Sequence, residues 1–170
     1  MDSTTLLPER SWVTVVGWSP MAVVNSLWQA CELGIVPQRV VLLVSPDEAA
    51  IQRSVGVVRQ YINTMLPRFG VANPVVEQKP INEDDFLGFR KTLAATLEEE
   101  SQHAARVVVD TTPGRKYMSA FAIALGLQGG FRLERVYYNH MLEQRYNDVA
   151  HPLIPRHEQQ LYDLLAVLKG

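Results

Sequence analysis

Apolar residues along this chain fall into short continuous runs, and longer stretches of helical spacing separate the runs. "WVTVVG" (Trp12 to Gly17) and "RVVLLVS" (Arg39 to Ser45) are β-branched and predict buried strands. "PVVEQKP" is bracketed by prolines and predicts an edge strand. "ARVVVD" and "LERVYYNH" predict the fourth and fifth strands. Between them lie four amphipathic or apolar segments. "SPMAVVNSLWQACELG" has Ser19 at the N-cap, Pro20 at the first helical position and Gly34 as a stop. "PDEAAIQRSVGVVRQYINTML" reads as a helix with acids in its first turn, ending before Pro67. "NEDDFLGFRKTLAATLEEESQ" reads as a helix with an Asn cap, and "GRKYMSAFAIALGLQ" as the helix after strand four. "RHEQQLYDLLAVLK" reads as a closing helix, with Leu161, Leu164, Leu165 and Leu168 on one face. Met141 to Arg156 is irregular, a loop or a short extra strand.

Alternating strands and helices with continuous apolar strands predict an α/β fold. It is a Rossmann-like open, mostly parallel sheet with helices on both faces, in a single domain over residues 1–170. In such sheets ligands sit beyond the carboxyl ends of the strands, where strand order reverses. That places "GWSPM" after strand one and "DTTPGRKYM" after strand four at one crevice.

Composition narrows what the crevice takes. The chain is 47% hydrophobic and 20% charged, with a formal net charge of -2. A general nucleic-acid coat needs a broad basic surface, so duplex DNA is not an expected partner and any anion must be held locally. Cys31 is the only cysteine, which excludes an internal disulfide or a paired-cysteine metal site and fits a reducing cytoplasm. The first ten residues do not read as a signal peptide, and no stretch approaches the ~20 apolar residues of a membrane span.

"DTTPGRK" combines the parts of an anion site. Gly114 suits a sharp turn, Pro113 stiffens it, and the following helix offers free N–H groups at its positive end. Arg115 and Lys116 add charge, and Thr111 and Thr112 add hydroxyls. The same residues also suit a plain strand-to-helix turn with solvated cations. Across the crevice, Ser19 points at a helix N-terminus and Trp18 is placed to stack on a base, or to pack on the sheet edge. At the end of strand five, Tyr138 offers a stacking face and Asn139 a paired donor and acceptor for an adenine edge. A strand-end Tyr137–Tyr138 pair packed under the last helix is the alternative.

Other chemistries lack their signatures. There is no GxGxxG, GxxxxGK[ST] or GxSxG. His103, His140, His151 and His157 have no zinc-ligand spacing, and His140 and His151 read as surface or loop histidines. No metal or cofactor is expected.

"VTVVGWSPMAVVNSLW" followed by "VVVDTTPGRKYMSAFAIAL" resembles the CARF domain, the CRISPR-associated Rossmann fold. The family's turn after strand four is commonly D-x-T-G-G-x-K-like. Here the Asp, the Thr, the second Gly and the Lys match, and Pro113 stands where the first Gly often is. The resemblance implies a homodimeric sensor of cyclic oligoadenylates made in type III CRISPR antiviral defence. The chain leaves no room for an appended effector, so the expected relatives are stand-alone ring nucleases. These cut cyclic tetra-adenylate without metal, by attack of the ribose 2′-hydroxyl to leave a 2′,3′-cyclic phosphate. The resemblance then implies Lys116 as charge stabiliser, Ser19 as the group orienting hydroxyl or phosphate, and Arg115 as an aid. Trp18, Pro20, Thr111, Thr112, Gly114, Tyr117, Tyr138 and Asn139 are the expected ligand contacts. Two rivals stand beside this: a non-catalytic sensor controlling a separate effector, free-standing or cut from a longer one, and a Rossmann-like enzyme acting on a mononucleotide or sugar phosphate.

Overall fold

Every position of the first strand, β1 (Arg10–Val16), is buried, because strands flank it on both sides and helices cover both faces. The computed structural model describes residues 9–104 and 106–170. The amino-terminal stretch read as lacking a signal peptide falls largely outside them, as does Ala105, the expected start of strand four. After β1 come α1 (Pro20–Glu32), β2 (Arg39–Val44), α2 (Ala49–Met65), β3 (Val75–Pro80), α3 (Phe86–His103), β4 (Arg106–Asp110), α4 (Lys116–Gln128), β5 (Leu133–Met141), β6 (Gln159–Asp163) and α5 (Leu164–Lys169). Short 3-10 turns fill the connections at Leu66–Phe69, Gln144–Tyr146, His151–Leu153 and Arg156–Glu158.

The sheet runs β3-β2-β1-β4-β5-β6, parallel except for β6. Strand order reverses between β1 and β4, as expected. Side-chain alternation divides the core in two. Trp12, Val40, Leu42, Val44, Val108 and Tyr137 pack under α1 and α2. Val13, Val41, Leu43, Val107, Val109 and Val136 pack under α3, α4 and α5. At the amino ends of the strands, buried Glu100 takes Arg39 Nε at 3.0 Å and the Ser11 hydroxyl, and Arg10 and Arg106 both reach Glu134.

The expected closing helix over 156–169 is the main correction. Residues 159–163 instead pair antiparallel with β5, Tyr138 opposite Tyr162 and His140 opposite Gln160. Leu161 and Leu165 then sit on opposite sides of the sheet, one against the α1 core and the other against the α4 core. Helical spacing alone puts both on one face. The open edge of nine-residue β5 carries backbone donors and acceptors that a strand satisfies and a helix does not.

Helix starts also shift. α2 begins at Ala49, so Asp47 and Glu48 stand ahead of it and its first turn carries no acid. α3 begins at Phe86, and its cap is Asp85, whose carboxylate accepts the Gly88 N–H at 2.8 Å, not Asn82. Gly34 follows α1 with φ 82° and ends it as expected. No helix among the described residues is long and apolar enough to cross a membrane.

Candidate ligand-binding site

The turn after β4 is built on Asp110, which is 2% exposed. Thr112 N–H donates to its carboxylate at 2.9 Å and the Thr14 hydroxyl lies 3.3 Å from it. Burial pushes this carboxyl from an ordinary 3.8 up to about 7, and the hydrogen bonds only partly offset that. Thr111 is buried, and both its N–H and hydroxyl donate to the Tyr137 carbonyl at 2.8 Å. Thr112 Oγ1 accepts the Asn139 N–H at 2.8 Å and lies 2.9 Å from the Ser26 hydroxyl. The two threonines therefore bind the turn to β5 and α1. Gly114 has φ 94°, which strains any residue with a side chain, and a Cβ there would also crowd the Met118 sulfur at 3.0 Å. The chain then enters α4 with Lys116 at the first helical position.

The two cations of this turn have different surroundings. Arg115 Nε donates to Glu83 at 2.8 Å and a second nitrogen lies 3.9 Å from Asp84. Glu83 holds Arg115 still more firmly in its charged form. Arg115 belongs to a neighbouring cleft of about 500 Å³ lined by Asp47, Glu48, Glu83, Asp84 and Asp85. Lys116 is exposed and enters no ion pair among the described residues. Tyr117 points away from the crevice. Its ring stacks on Phe86 with centroids 4.0 Å apart, and its hydroxyl donates to the Glu83 carbonyl at 2.7 Å.

Ser19 occupies the N-cap position of α1, with Pro20 next, but its hydroxyl makes no cap bond. It lies 3.1 Å from an Asp148 carboxylate oxygen and 3.3 Å from the Asn147 carbonyl. Trp18 is 75% exposed, and its indole N–H donates to Glu48 at 2.9 Å, on the acidic side of the crevice.

A cleft of about 370 Å³ opens between these loops. Ser19, Thr112, Tyr138 and Asn139 line it, as the sequence suggested, together with Met21, Asn25, Met141, Gln144 and Asn147. Arg115 lines the acidic cleft instead, Trp18 is tied to Glu48 of that cleft, and Thr111 and Tyr117 serve as braces. Residues 141–156 supply one wall. They are fastened to α1 through Asn25, whose side chain donates to the Val149 carbonyl at 2.9 Å and accepts the His151 N–H at 2.8 Å. Asn25, Met21 and Asn147 were not anticipated. Asn25 occupies an inward position of α1 where the helical pattern calls for an apolar residue, and a polar residue on that stripe was the available signal.

Asn139 is 5% exposed. Its side-chain amide donates to Gln159 at 3.3 Å, and its Oδ1 is buried without a donor among the described residues. The expected donor-and-acceptor pair is thus reduced to one free acceptor. His151 is a loop histidine, half-buried and bonded at both ring nitrogens: Nε2 lies 3.0 Å from Glu32 and Nδ1 2.6 Å from the Gln159 side-chain nitrogen.

No family model and no curated protein sequence matches the chain. Among solved structures it is similar to Enterococcus italicus Csm6 bound to cyclic hexa-2′-fluoro-hexa-dAMP, with TM-score 0.63 and 12% identity. The match covers 96% of this chain and 44% of that one, so the chain spans less than half of the neighbour's length. Protein VC1899 from Vibrio cholerae matches at TM-score 0.48 and 12% identity, over 79% of this chain and 30% of that one. At this identity the likeness is one of fold. The chain has the Rossmann-like fold expected from its sequence.

Proposed function

We propose that the chain is a single CARF domain that binds a cyclic oligoadenylate, with cyclic tetra-adenylate the expected ring, and linearises it without metal. The observation that carries this reading is that Ser19 at the start of α1 lines one cleft with Thr112, Tyr138 and Asn139, while Lys116, exposed at the start of α4 and in no ion pair among the described residues, ends the turn that Thr112 belongs to. The solved neighbour of the same fold holds a cyclic adenylate analogue, which adds support.

The chemistry asks little of the protein beyond placement. The ribose 2′-hydroxyl attacks the adjacent phosphorus, the 5′-oxygen leaves, and a 2′,3′-cyclic phosphate remains. Lys116 and the free N–H groups of the first α4 turn offset the charge that builds on the phosphate oxygens. Ser19 orients the hydroxyl or the phosphate in line. Arg115, tied to Glu83, contributes only if the ligand draws it away.

A ring with rotational symmetry calls for a two-fold dimer. Its support is α4, which carries no charge after Lys116 and exposes Ala120, Ala124 and Leu127 on its outward face. A helix that is apolar all round is normally covered. In the cell the reading places the protein in the cytoplasm, where the ring would be made, as an off-switch for type III CRISPR defence.

A second reading is a non-catalytic sensor that passes its signal to a separate effector. The Ser19–Asp148 contact favours it, because a carboxylate there engages the hydroxyl meant for the phosphate. One experiment separates the two: incubation with cyclic tetra-adenylate and cyclic hexa-adenylate in EDTA, followed by chromatography with mass detection. Linear products ending in a 2′,3′-cyclic phosphate establish the nuclease. An intact ring co-eluting with a dimer establishes the sensor, and failure to bind either ring removes both.

A further inference from the structure

Asn139 lines the cleft, and its buried Oδ1 has no hydrogen-bond partner among the described residues. A side chain 5% exposed with an unmatched acceptor is uncommon and calls for a missing donor. What keeps that oxygen, and not the amide nitrogen, free is a chain of hydrogen bonds leading away from the cleft. Gln159, 6% exposed on β6, turns its Oε1 to Asn139 Nδ2 at 3.3 Å and to Gln29 Nε2 at 3.1 Å. Two donors converge on that oxygen, so the Gln159 amide cannot flip without setting N–H against N–H. Its nitrogen accordingly meets His151 Nδ1 at 2.6 Å. That ring nitrogen must accept, so the proton of the neutral imidazole sits on Nε2, which faces Glu32 at 3.0 Å. Asn25 fixes the His151 backbone, and Trp28 lies beside the ring at 6.1 Å.

We propose that Gln159 and His151 are positioning residues that set the specificity of the cleft. They hold the Asn139 carboxamide so that its oxygen takes the exocyclic amino group of an adenine. The walls suit a base: Met21, Met141 and Tyr138 offer flat or adaptable apolar surface, while Ser19 and Asn147 offer polar groups to sugar and phosphate. An edge bearing only acceptors in place of the amino group meets a lone pair. The inference rests on the cyclic-oligoadenylate reading for its ligand, but the hydrogen-bond chain stands by itself.

Two measurements test it. The first needs no ligand: long-range nitrogen–proton NMR on the labelled full chain reads the His151 tautomer. The expected result is a proton on Nε2 and a bare Nδ1, and a proton on Nδ1 in the neutral ring overturns the inference. The second compares binding of cyclic tetra-adenylate with a ring carrying unsubstituted purine in place of each adenine. Wild type should prefer the adenylate ring by about tenfold or more. Gln159→Met should bring that ratio to within about threefold with the melting curve still cooperative. Gln159→Glu, which keeps an acceptor against Asn139 and turns its second oxygen to His151 Nδ1, so that this nitrogen takes a proton, should restore the preference. Equal weakening of both rings by Gln159→Met, or no preference in wild type, overturns the inference. If wild type binds neither ring, the ligand assignment falls, and the tautomer alone decides whether the chain of bonds is as described.

Discussion

Replacing Asp110 by Asn isolates the electrostatics beneath the anion turn. Burial raises this carboxyl from 3.8 to about 7, so the folded protein holds a proton that the unfolded chain releases. A group whose folded value is raised in this way, and which is charged only when deprotonated, stabilises the fold below its unfolded value. That contribution is lost as pH rises towards the folded value. The gap of about three, at ~1.36 kcal/mol for each tenfold step, gives ~4 kcal/mol as the whole effect, spread between about pH 4 and about pH 7. Asparagine keeps the geometry: its oxygen accepts the Thr112 N–H, and its nitrogen donates to the Thr14 hydroxyl, which can turn to the Val15 carbonyl. Denaturant unfolding at about pH 5 and about pH 8 reads the difference. Wild type should lose ~3 kcal/mol across that span, and Asp110→Asn should lose ~1 kcal/mol or less and be the more stable protein at the higher pH. Parallel losses in the two proteins would refute the assignment, since every other titrating group is shared.

Lys116→Ala should leave the melting temperature within a degree or two of wild type, because the side chain is exposed and unpaired, yet slow ring cleavage by roughly 10²–10³-fold, read by product chromatography. Arg115→Ala should slow it far less, since Glu83 and Asp84 already engage that guanidinium. Glu100→Ala leaves Arg39 short of its buried partner and should lower unfolding free energy by about 3–5 kcal/mol in denaturant titration. Ala124→Glu on the outward face of α4 should convert a dimer to monomer in sedimentation without altering the circular dichroism, and a monomeric wild type would remove the two-fold crevice.

Much of this protein is written locally. The β-branched runs at 12–16, 40–44 and 107–109 predict central strands because only a strand covered on both faces has continuous apolar positions, and the Rossmann order puts the switch point between the first and fourth strands, where the sheet has it. The turn chemistry of "DTTPG" is equally legible, since Gly114 needs a conformation that other residues avoid. Residues 159–163 are different. Leu161, Leu164, Leu165 and Leu168 satisfy a helix, and what overrides that spacing is the unpaired edge of β5, a partner distant in sequence. The same long-range event brings Gln159 to Asn139 and His151, so the donor and acceptor pattern of the cleft is not in any one segment. Arg115 and Lys116 look alike in sequence, and only the placement of Glu83 beside Arg115 in the acidic cleft separates a paired cation from one with no ion pair among the described residues. Sequence alone determined what each segment can become, because propensity and turn chemistry act over a few residues. Tertiary structure decided which polar atoms are already satisfied, because hydrogen bonds and charges are matched through space.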